Sequence, residues 1–188
     1  MRKLIMWNFI TLDGYFEGEK NWDLDWHEHA WSEELERFSL EQLASADMLV
    51  FGRVTYEGMA AYWSTAEGAV ADHMNRLPKL VCSRTLEAAG WNNSTLLKDN
   101  AAEEIGRIKH QGNGNMFVFG SANLSRTLMK EDLFDEYRFA VAPLFLGGGR
   151  RLFDDGLKPQ SLQLQEARAL STGCVILRYS PGDTLSTA

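Results

Sequence analysis

The stretch Phe51-Gly52-Arg53-Val54-Thr55-Tyr56-Glu57 constrains this chain more than any other. It follows the apolar run Met48-Leu49-Val50 and opens an amphipathic segment that reaches Trp63. That order reads as strand, glycine turn, helix. A helix started there directs free backbone N–H groups out of the carboxyl edge of a sheet, where a phosphate can sit. Arg53 adds a fixed positive charge and Thr55 a hydroxyl donor. An ordinary strand–turn–helix junction would use the same glycine, so the phosphate reading depends on partners elsewhere in the chain.

The pattern around this junction repeats in kind. Residues 4–10 form a short apolar, β-leaning run. Residues 11–30 are polar and rich in Asp, Glu and Trp, which predicts a long loop or lid. Ser32 can cap a helix over 32–44, with Glu33 and Glu34 placed favourably against its dipole. Strands are expected at 47–51, 80–82, 95–97, 116–119 and 137–141. Helices are expected at 54–63, 68–76, 101–110 and 122–129. Alternation at Leu162 and Leu164, then at 175–179, predicts a terminal hairpin through Ser171-Thr172-Gly173. Strands separated by helices imply a three-layer α/β fold with a mostly parallel central sheet, to which the C-terminal hairpin adds antiparallel edges. One domain over 1–181 and a flexible tail over 182–188 are expected.

Composition fits this. The 188 residues are 45% hydrophobic, with ten Phe, six Trp and five Tyr, enough for a substantial core. A net charge of −7 without a basic block argues against nucleic-acid partners. No apolar run approaches the roughly 20 residues that span a bilayer, so no membrane partner is expected. Residues 1–8 have the charge of a secretion leader without its apolar middle, and the expectation is a cytoplasmic protein. Cys82 and Cys174 sit in apolar runs and read as small buried hydrophobes.

Two more strand ends join the first junction. Phe119-Gly120-Ser121-Ala122 is a second strand–glycine–helix turn, and Cys82-Ser83-Arg84-Thr85 offers a hydroxyl and a guanidinium. In open parallel sheets ligands bind beyond the carboxyl ends of strands. Helix starts suit a pyrophosphate, and Ser83 with Arg84 suits a 2′-phosphate. A Gly-x-Gly-x-x-Gly fingerprint is absent, which disfavours an ordinary Rossmann domain.

These pieces resemble the dihydrofolate-reductase-like family that includes the reductase domain of bacterial riboflavin biosynthesis. The resemblance is carried, in order, by Thr11-Leu12-Asp13-Gly14, Phe51 to Glu57, Cys82-Ser83-Arg84-Thr85-Leu86, Phe119-Gly120-Ser121-Ala122-Asn123-Leu124, and Pro143-Leu144-Phe145-Leu146-Gly147-Gly148-Gly149-Arg150-Arg151-Leu152-Phe153. It spans about residues 2–180. It implies NADPH as hydride donor, a homodimer, and a small-molecule substrate such as the phosphoribosylamino-uracil of the riboflavin pathway. By position, Gly52, Arg53 and Thr55 would hold phosphates, and Ser83 and Arg84 the adenosine 2′-phosphate. Gly120, Ser121, Ala122 and Leu124 would pack along the pyrophosphate and nicotinamide. The family often has paired glycines where Gly120 is followed by Ser121, whose side chain either crowds a phosphate or donates to it. The His-x-Glu and Cys-x-x-Cys ligands of a zinc deaminase are missing.

Reduction also needs a proton. Asp13 and Asp25 are the candidate catalytic acids, since a desolvated carboxyl keeps its proton near neutral pH. The alternatives are an Asp-Gly turn for Asp13, a turn cap for Asp25, and protonation by solvent. Trp7, Trp22, Trp26 and Trp31 suit either stacking on a flat ring or ordinary packing. Asn8 either enters the pocket or faces water. His27-Glu28-His29 reads as solvated loop, with no third metal ligand at a recognisable spacing. The segment Gly147 to Arg151 suits a substrate phosphate, a structural turn or a dimer contact. Besides the reductase, two readings stand: a catalytically silent nucleotide-binding module, and a structural dimer without nucleotide.

Overall fold

The structure, a computed structural model, describes residues 1–153 and 157–184. The chain runs β1 (Leu4–Thr11), β2 (Tyr15–Glu17), a 3-10 turn (Asp25–His29), α1 (Glu33–Ser45), β3 (Ala46–Gly52), α2 (Arg53–Trp63) and α3 (Ala69–Arg76). It continues through β4 (Lys79–Cys82), β5 (Ser94–Leu97), α4 (Ala101–Lys109), β6 (Asn115–Phe119) and α5 (Ala122–Lys130). Then follow β7 (Glu136–Ala142), β8 (Arg150–Arg151), β9 (Gln160–Ala169) and β10 (Val175–Thr184). The main sheet has the order β5-β4-β3-β6-β1-β7-β10-β9, and β2 pairs with β8 in a small second sheet. Strands β5 to β7 of that order are mutually parallel, while β10 runs antiparallel to both β7 and β9.

Side-chain alternation explains the layers. On β1, Ile5 and Trp7 join one core cluster while Leu4 and Met6 join the other. On β6, Phe117 and Phe119 face the first cluster, and Met116 and Val118 the second. Leu35, Phe38 and Leu43 of α1, Tyr56 of α2 and Met74 of α3 cover the first face. Ile105 of α4 and Leu128 of α5 cover the second. Strands buried on both faces are near-continuous apolar runs, the mark of a parallel sheet between helices.

The local signals act as expected at α1, where the Ser32 hydroxyl accepts from the Leu35 N–H at 3.2 Å. Two expectations are corrected. Residues 11–30 are not one loose loop, because Tyr15–Glu17 pairs with β8 and Asp25–His29 coils into a 3-10 turn. The chain also does not leave the sheet at 182: β10 continues to Thr184, and the Ser161 hydroxyl bonds the Asp183 carbonyl at 3.0 Å. Of the expected tail, 185–188 lie outside the described residues. Among the described residues no helix is long and apolar enough to cross a membrane.

One contact fixes the 18–24 segment. Gly58 sits inside α2, where glycine ordinarily costs about 1 kcal/mol against alanine. A Cβ there would lie 2.3 Å from Trp22 Cε3. The Trp22 indole therefore lies flat on the helix backbone, and Trp22 itself takes a left-handed φ of 64°. We expect Gly58→Ala to displace Trp22 and destabilise the fold by roughly 1–3 kcal/mol. In a Trp22→Ala background the same change should stabilise, by up to about 1 kcal/mol. Urea denaturation of the four proteins checks the change of sign.

Candidate functional site

A cleft of about 1520 Å³ opens along the carboxyl edge of the main sheet. It exceeds the roughly 300–1,000 Å³ of a usual single-ligand pocket, leaving room for two ligands side by side. All nine residues assigned to cofactor binding line it: Gly52, Arg53, Thr55, Ser83, Arg84, Gly120, Ser121, Ala122 and Leu124. They converge because β3 lies between β4 and β6, so three separate strand ends reach one edge. On the other side of β6, β1 matches it only as far as Trp7↔Phe119, while β1 and β7 stay paired to Thr11↔Ala142. Beyond Trp7 the edge of β1 that faced β6 is open.

The two glycine turns are bound to each other. The Gly52 N–H donates to Ser121 Oγ at 2.9 Å, and the Ser121 N–H donates to Thr55 Oγ1 at 2.9 Å. Gly120 and Ser121 are both left-handed, at φ 54° and 57°. A Cβ on Gly120 would stand 3.2 Å from Thr55 Cγ2, so conformation and packing both require glycine there. Gly52 differs: its φ is −81°, and a Cβ would meet Ser121 and Leu124 only at 3.7 Å. The Ser121 hydroxyl oxygen thus joins the turns as an acceptor, while its O–H proton is left over for a further partner. The first N–H groups of α2 and α5 remain as donors to an anion.

Beyond the end of β4 the Ser83 hydroxyl accepts from the Thr85 and Leu86 N–H groups at 3.2 and 3.0 Å, which sets the turn that carries Arg84. Arg84 is 84% exposed and only 3.9 Å from Asp99, so its guanidinium is available to a phosphate. Arg53 already pairs with Glu57 at 3.0 Å and would have to share its charge.

The opposite end is aromatic. Trp7, Phe9, Phe16, Trp22 and Trp31 line it, while Trp26 is buried at 6% exposure in the core. Asn8 turns to the cleft rather than to bulk water. It is 4% exposed, and its amide nitrogen has no hydrogen-bond partner. His27 is not solvated loop. Its ring stacks on Phe9 at 4.5 Å and 18°, its Nε2 is buried without a partner, and burial pushes its pKa down to about 4.

The two candidate acids part company. Asp25 lines the cleft but is solvent-exposed, so its apolar neighbours in sequence do not enclose it. Asp13 does not line the cleft. Burial alone would raise its pKa, but hydrogen bonds from the Thr11 hydroxyl and the Gly147 and Leu146 N–H groups hold it at about 2. A carboxyl that stays ionised does not hold a proton for the acceptor at neutral pH, which disfavours Asp13 as the acid and fits the turn alternative. Among the described residues no group of three or more His, Cys, Asp or Glu is arranged to hold a metal ion.

Residues 2–176 match the RibD C-terminal domain family. The chain belongs to that family. It is 27% identical over 183 residues to YyaP, an uncharacterized protein of Bacillus subtilis, covering 95% of this chain and 94% of YyaP. Among solved structures, a pyrimidine reductase-like protein of Corynebacterium diphtheriae superposes with a TM-score of 0.71 at 10% identity, covering 97% of this chain and 92% of that one. Acinetobacter baumannii RibD gives 0.70 at 15%, over 97% of this chain and 59% of that one. Dihydrofolate reductase of Enterococcus faecalis, complexed with NADP(H), gives 0.65 at 14%, over 96% and 97%. The fold is therefore dihydrofolate-reductase-like.

For a RibD C-terminal domain, sequence reading missed Glu17 and the inward placement of His27. Glu17 is 4% exposed, lines the cleft, accepts from the Trp22 N–H, and pairs with Arg150 at 2.8 Å. Its ion-pair partner lies 133 residues away, and three residues of β2 give too little alternation to announce a strand. We expect Ser121→Ala to cost about 1–3 kcal/mol by leaving the Gly52 N–H unpaired. Ser121→Gly should cost less, because glycine relieves the left-handed backbone. Thermal denaturation of both variants checks the order.

Proposed function

We propose that this RibD C-terminal domain protein is an NADPH-dependent reductase acting on a small heterocycle or ribosylated pyrimidine. The observation that carries the reading is the gathering of the Gly52 turn, the Gly120 turn and the Ser83-Arg84 turn beside one cleft. NADPH would supply hydride at its nicotinamide ring. The chain's own part is to hold and orient. Helix starts at Arg53 and Ala122 face the pyrophosphate, Arg84 meets the 2′-phosphate, and the aromatic end holds a flat acceptor within the roughly 3–3.5 Å that transfer requires. Family membership supports the riboflavin-pathway aminouracil, whose ribosyl group becomes a ribityl chain, as the type of acceptor. With Asp13 committed to its turn, the proton comes from solvent or from exposed Asp25. Cytoplasm is the compartment this reading implies.

The loss of Asp13 as an acid also favours a second reading, a nucleotide-binding module without turnover. Both bind NADPH; only the reductase consumes it at 340 nm with an added acceptor. Binding without consumption across pyrimidine, ribosylpyrimidine and bicyclic acceptors would support the silent module. For the cofactor, we expect Arg84→Ala to weaken NADPH and leave NADH unchanged. The loss should be about 1.5 kcal/mol, the low end for a charged hydrogen bond, because Arg84 is exposed. Equal losses for both nucleotides in fluorescence titrations would remove Arg84 from that role.

A homodimer belongs to the same reading. Strand β9 is an edge strand of ten residues, with Leu162 and Leu164 at 44% and 56% exposure. An edge of that length, with apolar side chains, invites pairing with a second copy. Sedimentation at micromolar concentration should give twice the 21.2 kDa chain mass; a single-chain mass would contradict it.

A further inference from the structure

Strand β8 has two residues, and neighbouring side chains on a strand point opposite ways. Arg151 turns from the cleft: it bonds the Asp13 carbonyl at 3.0 Å and lies 4.6 Å over the Tyr15 ring. Arg150 lines the cleft with Phe16, Glu17 and Trp22. The backbone before it sets its place. Arg150 pairs with Glu17 in the β2–β8 register, and a Cβ on Gly149 would stand 2.3 Å from the Glu17 carbonyl. The Leu146 and Gly147 N–H groups are taken by Asp13. The backbone of the glycine-arginine segment is therefore a structural turn, and Arg150 is its one residue that lines the cleft.

A guanidinium carries five N–H donors in a planar fork. One end of Arg150 is occupied: Nη1 donates to Glu17 Oε2 at 2.8 Å and lies 3.4 Å from Asn21 Oδ1. Among the described residues, Nε and Nη2 have no hydrogen-bond partner. The guanidinium carbon lies 5.9 Å from the Phe16 ring centre, and the side chain is 40% exposed.

Glu17 differs. Its side chain is 5% exposed, and its other oxygen accepts from the Trp22 N–H. A buried carboxylate needs a counter-charge, but an ammonium could supply that at one point. Arginine leaves a second edge, Nε–Nη2, with two parallel donors spaced for a carboxylate or a phosphate. A ligand on that edge would not draw Arg150 away from Glu17, so the buried charge stays compensated.

We propose that the Nε–Nη2 edge of Arg150 binds an oxyanion carried by the acceptor, a carboxylate or a phosphate, while Glu17 and Asn21 hold the other end of the guanidinium. The proposal deepens the reductase reading and rests on it for the word acceptor. It narrows the acceptor to a ring that bears an anionic group. Asp25 and Glu28 line the same cleft. Both are exposed, so salt screens their repulsion without removing it, and the gain expected from Arg150 is modest.

The test uses the full chain saturated with NADP⁺, so that the helix starts are occupied. Tryptophan fluorescence is titrated with two matched pairs, uracil against orotate and uridine against uridine 5′-monophosphate. In at least one pair the anion should bind about tenfold tighter than its neutral partner, the low end for a charged hydrogen bond because Arg150 is partly exposed. A gain for orotate puts the oxyanion on the ring; a gain for the monophosphate puts it beyond a sugar. Arg150→Gln should cut the gain to below about twofold, with NADP⁺ affinity unchanged. Should that variant unfold because Glu17 has lost its cation, the double variant Glu17→Gln/Arg150→Gln removes the pair together and should show the same loss. The proposal is overturned if neither anion binds tighter than its neutral partner, or if the gain survives without Arg150. Failure of both anions to bind at millimolar concentration also overturns it. A protein that shows the Arg150-dependent gain but does not bind NADP⁺ loses the reductase reading and keeps the oxyanion site. The pairs are then compared without NADP⁺, and the same criteria decide.

Discussion

Two reciprocal hydrogen bonds hold the functional edge of this protein together. The Gly52 N–H reaches Ser121 Oγ, and the Ser121 N–H reaches Thr55 Oγ1. They join the start of α2 to the start of α5 across the β3–β6 pair. Without them, two helix N-termini would still point out of the sheet, but only the β3–β6 pairing behind them would set their spacing. Preorganised donors are worth more than mobile ones because no ordering remains when the ligand arrives. The left-handed backbone at Gly120 and Ser121 is the cost of that arrangement.

The bond also explains a departure from the family pattern. A second glycine after Gly120 would accept the left-handed conformation without strain but could not accept from Gly52. Serine accepts some backbone strain and supplies the oxygen. The side chain that sequence reading sets against the cofactor also braces the two turns.

Much of the fold was legible because its signals are local. Ser32 capping α1, Gly52 before α2 and Gly120 before α5 each announce a boundary within a few residues. The cleft side built from the ends of β3, β4 and β6 was legible for the same reason, since a strand end and the turn or helix after it are contiguous in sequence. The facing wall was not. Glu17 meets Arg150, Trp22 meets Gly58, and Asp13 meets Gly147, all across long separations. Asp13 shows the failure most plainly. As one residue of an Asp-Gly pair it looked equally fit for acid or turn, and only backbone donors more than 130 residues away decide between them. His27 was hidden by its neighbours, because exposed Glu28 and His29 make the triplet look solvated while Phe9 pulls the first ring inward.

One side of the cleft is built of helix starts with Arg53, Arg84 and Lys98 among Asp99 and Glu103; the other is built of aromatic rings with Glu17, Asp25 and Arg150. The most direct measurement of this account is a crystal structure of the protein with NADP⁺. The account places the pyrophosphate over the α2 and α5 starts, between Gly52 and Gly120, with the nicotinamide at the open edge of β1 beside Asn8. A dinucleotide bound away from those turns, or lying along the Glu17–Asp25 wall, would contradict it.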